Sequence, residues 1–203
     1  MSESYLSGLI GRQAGVYGDR AALKYRDYKK GVWIPVSWNQ FAEKVKYVSR
    51  ALIASGVGVQ ENIGVFSQNM PECLYTDFGA FGIRAVTIPL YATSSESQVH
   101  YIVEDASIRF LFVGEQYQYD VAYRVQQLCK TLKQIIIFSP DVVRSAEDTH
   151  SIYYTDFLKQ GESDEHQAEA DKRRSESSKD DLANILYTCL LYTSDAADDT
   201  PCV

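Results

Sequence analysis

The sequence predicts an α/β protein: a doubly wound, mostly parallel sheet with flanking helices, preceded by a hairpin. Two observations predict it. From Asn62 onward, short apolar runs alternate with stretches whose apolar residues recur at helical spacing. The stretches between those runs are also too long and too helical to be hairpin turns, so successive strands must be joined by crossovers and lie parallel, with helices covering the faces.

The hairpin is read in residues 23–36, "LKYRDYKKGVWIPV", where two β-prone runs flank a Lys-Lys-Gly turn. The following "SWNQFAEKVKYVSRALIASG" is the best-marked helix. Ser37 and Gln40 form a capping box, Phe41, Val45, Val48 and Leu52 share one face, and Gly56 suits the C-terminal cap. "NIGVFSQN" then reads as a buried strand, after which Asn69 can cap a helix with Pro71 in its first turn. "VTIPLY" is the next strand. Ser95 and Gln98 form a second capping box and open a helix that turns Val99, Ile102 and Val103 inward. "IRFLFV", a helix across Tyr119 to Lys130, and "QIIIF" continue the alternation, and "LANILYT" forms a last strand.

Ligands of open parallel sheets sit beyond the carboxyl ends of the strands, so the loops after Phe66, Leu90, Val113 and Ile185 are where a site is expected. Residues 160–181 are almost free of large apolar side chains and read as an exposed linker. Composition narrows the function classes. The 203 residues are 45% hydrophobic and 23% charged, enough for one sizeable core. A net charge of -7 argues against a nucleic-acid surface. No apolar run reaches membrane-span length and the N-terminus lacks a signal-peptide pattern, so a cytoplasmic location is expected, with peripheral contact at a membrane left open. Cys73, Cys129, Cys189 and Cys202 have no metal-ligand spacing.

Three blocks carry a resemblance. "SQNMPEC" (67–73), "IPLYATSSESQVHYIVEDA" (88–106) and "DLANILYT" (181–188), in this order and spacing, resemble the N-terminal region of the adenylate-forming, AMP-binding superfamily, and within it the long-chain fatty acid CoA ligases. The resemblance covers 1–188 and implies the incomplete N-terminal part of the large domain. It also implies a ligase that uses ATP and Mg²⁺ to turn a fatty acid into an acyl-adenylate and then passes the acyl group to coenzyme A. Other acyl- or aryl-adenylate-forming ligases are the alternative, and a flavodoxin-like binding module such as a signalling receiver is a further one.

In that family the last block runs into a glycine-rich loop that holds the ATP phosphates. Tyr187 and Thr188 match its opening, and Cys189 and everything after it do not. A variant loop starting at Tyr192-Thr193-Ser194 is opposed by the glycine-free run with Asp195, Asp198 and Asp199 that follows. The other reading is that 189–203 is a non-native tail, since "CLLYTSDAAD" is what the codons TGT CTC TTA TAC ACA TCT GAC GCT GCC GAC encode, a string that resembles a sequencing-library adapter. The chain alone is then expected to be inactive. No residue is assigned a catalytic or metal-binding role: Asn69, Pro71 and Glu72 read as cap, first-turn proline and helix-dipole partner, His100 as a solvated helix residue, and Tyr117, Tyr119 and Tyr123 as packing groups.

Overall fold

A computed structural model describes residues 5–188. A 3-10 turn at Leu6–Gly8 leads into α1 (Leu9–Tyr17), an opening helix that the sequence reading did not separate from the N-terminal segment. The hairpin follows as β1 (Ala21–Asp27) paired antiparallel with β2 (Val32–Ser37). Its turn is set by Asp27, whose carboxylate accepts from the amides of Lys29 and Lys30, and by Gly31, which takes a left-handed φ of 68°.

α2 (Trp38–Ala54) begins with the reciprocal capping box of Ser37 and Gln40. It ends on Gly56 at φ 79°, where the Gly56 and Val57 amides bond back to the Ile53 and Leu52 carbonyls. β3 (Asn62–Phe66) and α3 (Pro71–Gly82) come next. Pro71 occupies the first turn as expected, but Asn69 is not the cap. Met70 holds that position with no side-chain cap bond, because a first-turn proline leaves one fewer amide to satisfy.

β4 (Val86–Leu90) is followed by α4 (Glu96–Asp105), opened by the Ser95–Gln98 capping box and burying Val99, Ile102 and Val103. β5 (Phe110–Val113), α5 (Gln116–Leu128) and β6 (Gln134–Ile137) complete the alternation. The α5 helix begins three residues before the predicted Tyr119, because Glu115 and Gln118 make a further capping box. Tyr119 is buried, stacks on Tyr123 at 5.9 Å, donates to Asp148 and accepts from the Ser145 amide. A two-residue strand β7 (Ile152–Tyr153) and the short helix α6 (Tyr154–Lys159) were not anticipated.

The five-stranded sheet has the order β4-β3-β5-β6-β7, parallel throughout. One apolar cluster, including Val48, Leu52, Ile63, Phe112 and Phe157, fills the side under α2, α3 and α6. The other, including Val99, Leu111, Val125 and Ile135, lies under α4 and α5. Alternate strand residues thus feed opposite layers, as a doubly wound sheet requires.

Residues 160–181 are not the exposed linker expected from their composition. They hold α7 (Gln167–Ser175), which packs on α2 with Ala170 buried. Gly161 lies so close to α2 that a Cβ would fall 1.9 Å from the Tyr47 carbonyl oxygen. Arg50, 1% exposed, reaches Asp164 and donates to the Glu162 carbonyl at 3.2 Å. The order comes from polar contacts with distant residues, which apolar content does not reveal.

Candidate functional site

The strand order places the chain's reversal between β3 and β5, and the loops that leave their carboxyl ends diverge there. Gly114 directly follows β5. Its amide donates to Phe66 and its carbonyl accepts from Ser139, so the three central loops meet at this one residue. A Cβ at Gly114 would stand 2.4 Å from Ser67 Oγ and 2.5 Å from Gln68 Oε1, so glycine is what lets the loops close over the strand ends.

The loop after β3, the first turns of α3 and the start of α6 carry buried polar side chains. Both amide atoms of Gln68, together with Glu72 Oε2, Thr76 Oγ1 and the Tyr154 hydroxyl, are buried without a hydrogen-bond partner. Such atoms are stabilised by water or a polar ligand when they occur in native proteins. Burial raises the Glu72 carboxyl above the ordinary range, and burial with the nearby Glu72 lifts Tyr75 to about 12. The sequence places Glu72 as a dipole partner of α3. It does sit in the first turn, and its buried oxygen went unforeseen.

The segment carrying the two predicted site residues runs along the outer edge of β4. Thr87 donates its amide to the Ala183 carbonyl and accepts from the Ile185 amide, while Asn184 bonds the Thr87 side chain. Pairing then stops, and the expected strand through Thr188 is reduced to a single parallel bridge between Thr87 and Asn184. The cause is Pro89. Residues two apart on a strand face the same edge, so Pro89 follows Thr87 on this edge and has no amide hydrogen to continue the ladder.

The segment is held in register from its amino end. Asp181 receives two bonds of 2.9 Å from the Arg84 guanidinium and a third from the Ser178 amide. Those bonds, led by the Arg84 fork, hold the Asp181 carboxyl below the usual range. Gln60 accepts from the Leu182 amide and donates to the Leu182 and Arg84 carbonyls. Gln60 and Arg84 both take left-handed φ values, 56° and 61°, a cost for residues with a Cβ that these contacts offset. Sequence reasoning missed both, and their only signal was a polar residue beside each turn.

Tyr187 packs against the second core cluster, sets its ring edge-on to Tyr101 at 6.3 Å and donates its hydroxyl to Asp105. Thr188 is half-buried and closes the described residues. Tyr187 is thereby brought against α4, beyond the point where pairing with β4 ends. His100 sits on α4 with Glu104 one turn on, 3.6 Å away. Among the described residues, no three His, Cys, Asp or Glu side chains come together in one group. No described helix is long and apolar enough to cross a membrane. The phosphate-loop question after Thr188, and the proposed tail 189–203, lie outside the described residues.

Comparison with known proteins adds an independent line. The family model for AMP-binding enzymes matches residues 10–189. Fatty acyl-CoA synthetase A of Dictyostelium discoideum is 27% identical over 80% of this chain and 24% of its own length. Human long-chain-fatty-acid–CoA ligase 1 is 35% identical over 39% of this chain and 12% of its own. In structure, coronafacic acid ligase from Pectobacterium brasiliense superposes with a TM-score of 0.72 at 14% identity, covering 91% of this chain and 33% of that one. An anthranilate CoA ligase in complex with anthranoyl-AMP gives 0.66 at 17%, covering 77% and 28%. The chain spans about a quarter of the length of the first of these relatives.

Proposed function

Because this chain belongs to the AMP-binding enzyme family, we infer that it is the N-terminal portion, residues 1–188, of the large domain of a long-chain fatty acid CoA ligase. In this reading the fatty acid carboxylate attacks the α-phosphorus of ATP, the bond from that phosphorus to the bridging oxygen breaks, and pyrophosphate leaves. The thiol of coenzyme A, its proton given up to base or solvent, then attacks the acyl carbonyl, and AMP departs with the electron pair. Mg²⁺ would neutralise charge on the phosphates.

This chain's own part is positional. The observation that carries the reading is the course of residues 181–188: clamped by Arg84 and Gln60, laid parallel on β4 and freed at Pro89, they leave the ladder before Tyr187 and Thr188. A glycine-rich continuation of the kind that the resemblance implies would offer backbone amides to a phosphate. Tyr187, fixed by Tyr101 and Asp105, anchors that departure. Fatty acid, ATP and coenzyme A are the substrates in this reading, and a cytoplasmic place with peripheral membrane contact is part of it.

The test is the parent coding sequence beyond codon 188, read from an independent library, followed by assay of its product. A Ser-Gly-Thr-Thr-Gly type continuation and release of AMP from ATP with oleate and coenzyme A are expected, with none from the 203-residue chain. AMP release with benzoate or anthranilate and not oleate would overturn the fatty acid assignment, and an unchanged Cys-Leu-Leu-Tyr-Thr-Ser would overturn the adapter origin of the tail.

A further inference from the structure

Helices α1, α2, the C-terminal half of α3 and α7 line an open cleft of about 520 Å³. That volume falls in the range of about 300–1,000 Å³ usual for small-molecule sites. Its floor is apolar, with Ile10, Val45 and Phe78 among the lining groups. Three cationic side chains stand around it, Arg12, Lys46 and Arg174, and no Asp or Glu is among the described residues that line it. This is a local inversion of charge in a chain of net charge -7.

The three cations are differently engaged. Arg174 pairs with Asp171 at 3.1 Å, and Lys46 stands 3.9 Å from Asp164, a carboxylate already shared with Arg50. Arg12 has no carboxylate within ion-pair distance among the described residues. Its guanidinium is instead set in place by the Tyr5 carbonyl, to which it donates at 2.9 Å, and by Gly8, where a Cβ would fall 2.4 Å from Nη1. A positioned guanidinium keeps most of its donors for a ligand anion.

We propose that this cleft binds a single-chain aliphatic anion, its hydrocarbon on the Ile10, Val45 and Phe78 floor and its headgroup between Arg12 and Lys46. The site is separate from the β3/β5 reversal and from residues 181–188, so occupancy there does not depend on nucleotide. A carboxylate and a phosphate monoester share the required chemistry: an apolar tail on a compact oxygen anion.

The test is equilibrium binding of dodecanoate to the 203-residue chain, below its micellar concentration, beside 1-dodecanol, butyrate and dodecyl phosphate. Saturable 1:1 binding of dodecanoate is expected, at least tenfold tighter than of dodecanol or butyrate. Arg12→Ala with Lys46→Ala should weaken dodecanoate about tenfold and leave dodecanol unchanged, and Ala42→Trp, which fills the cleft, should abolish both. Dodecyl phosphate binding more tightly than dodecanoate would assign the headgroup to phosphate, and the reverse to carboxylate, and both agree with the proposal. Equal affinity for dodecanol, or indifference to the paired Arg12 and Lys46 substitutions, would overturn it. A diazirine-bearing dodecanoate gives a second readout: adducts on 6–12, 42–49 or 167–174 support the site, and adducts confined elsewhere sink it. Loss of ligase activity in the parent enzyme would leave all these readings as they stand.

Discussion

The sheet core from β3 to β6 and the strap of residues 160–188 are held by opposite means. In the core, Ile63, Phe112, Ile135 and Ile136 are fully buried and strands pair by backbone bonds, so stability is spread over many apolar contacts. The strap has few such groups and leaves Leu182 and Leu186 exposed. It is fixed by a few polar contacts: Arg50 with Asp164, Arg173 Nη1 to the Val57 carbonyl at 2.7 Å, Arg84 with Asp181 and Gln60 with Leu182. Order therefore does not require apolar composition. It requires partners whose own positions the core has already set, and each such contact then carries a large share of the local stability.

Gly161→Ala should have the largest effect on the strap. Its Cβ would meet the α2 backbone, which cannot move aside as a side chain could, so a loss of about 3 kcal/mol is expected, comparable to a core substitution. Urea denaturation measures it. A change under about 0.5 kcal/mol, the scale of a neutral surface substitution, would show that the strap is not docked on α2.

Asp181→Asn comes next. The side chains of Arg84 and Asp181 are 19% and 17% exposed, so removing the charged acceptor should cost about 2 kcal/mol and raise amide exchange at Thr87 and Ile185. Because the Asp181 carboxyl is lowered in the folded chain, its contribution is present above the unfolded value and lost as pH falls through the folded one. The Asn variant should thus lose its deficit in acid. A deficit that persists at pH 3 would mean that the carboxylate charge is not what holds the strap.

Asp77 sharpens the contrast from the core side. Burial lifts its carboxyl to about 6, against 3.8 ordinarily, with the Thr87 hydroxyl pulling the other way. Well below the unfolded value of 3.8 both states hold the proton and there is no penalty. Between about 4 and 6 the unfolded chain releases it first, so stability falls with rising pH, and above 6 the loss is complete. Asp77→Asn should accordingly raise stability at pH 8 by on the order of 1 kcal/mol and do little at pH 2.5. Equal effects at both pH values would refute the assignment. The smallest expected effect is deletion of 189–203, within about 0.5 kcal/mol if those residues derive from an adapter. A larger loss on thermal melting would count as evidence that they belong to the protein.

Local rules were legible residue by residue. The capping boxes at Ser37–Gln40 and Ser95–Gln98, Gly56 past the end of α2, Pro71 at the start of α3 and the apolar runs of β3 to β6 all act within a turn or a strand, and the parallel alternation follows from them. The amino acid types alone therefore determined the fold class and pointed to the strand ends and the block 181–188. The remaining features depend on residues far apart in the chain. Arg84 and Asp181 are separated by 97 positions, and Gln60 and Leu182 by 122. That Pro89 ends the pairing of residues 183–185 depends on which edge of β4 they join, and the order of 160–181 depends on Arg50 and Tyr47 of α2. A polar side chain can be satisfied equally well by water, so its sequence carries no sign of the partner, whereas an apolar one has the core as its only favourable destination.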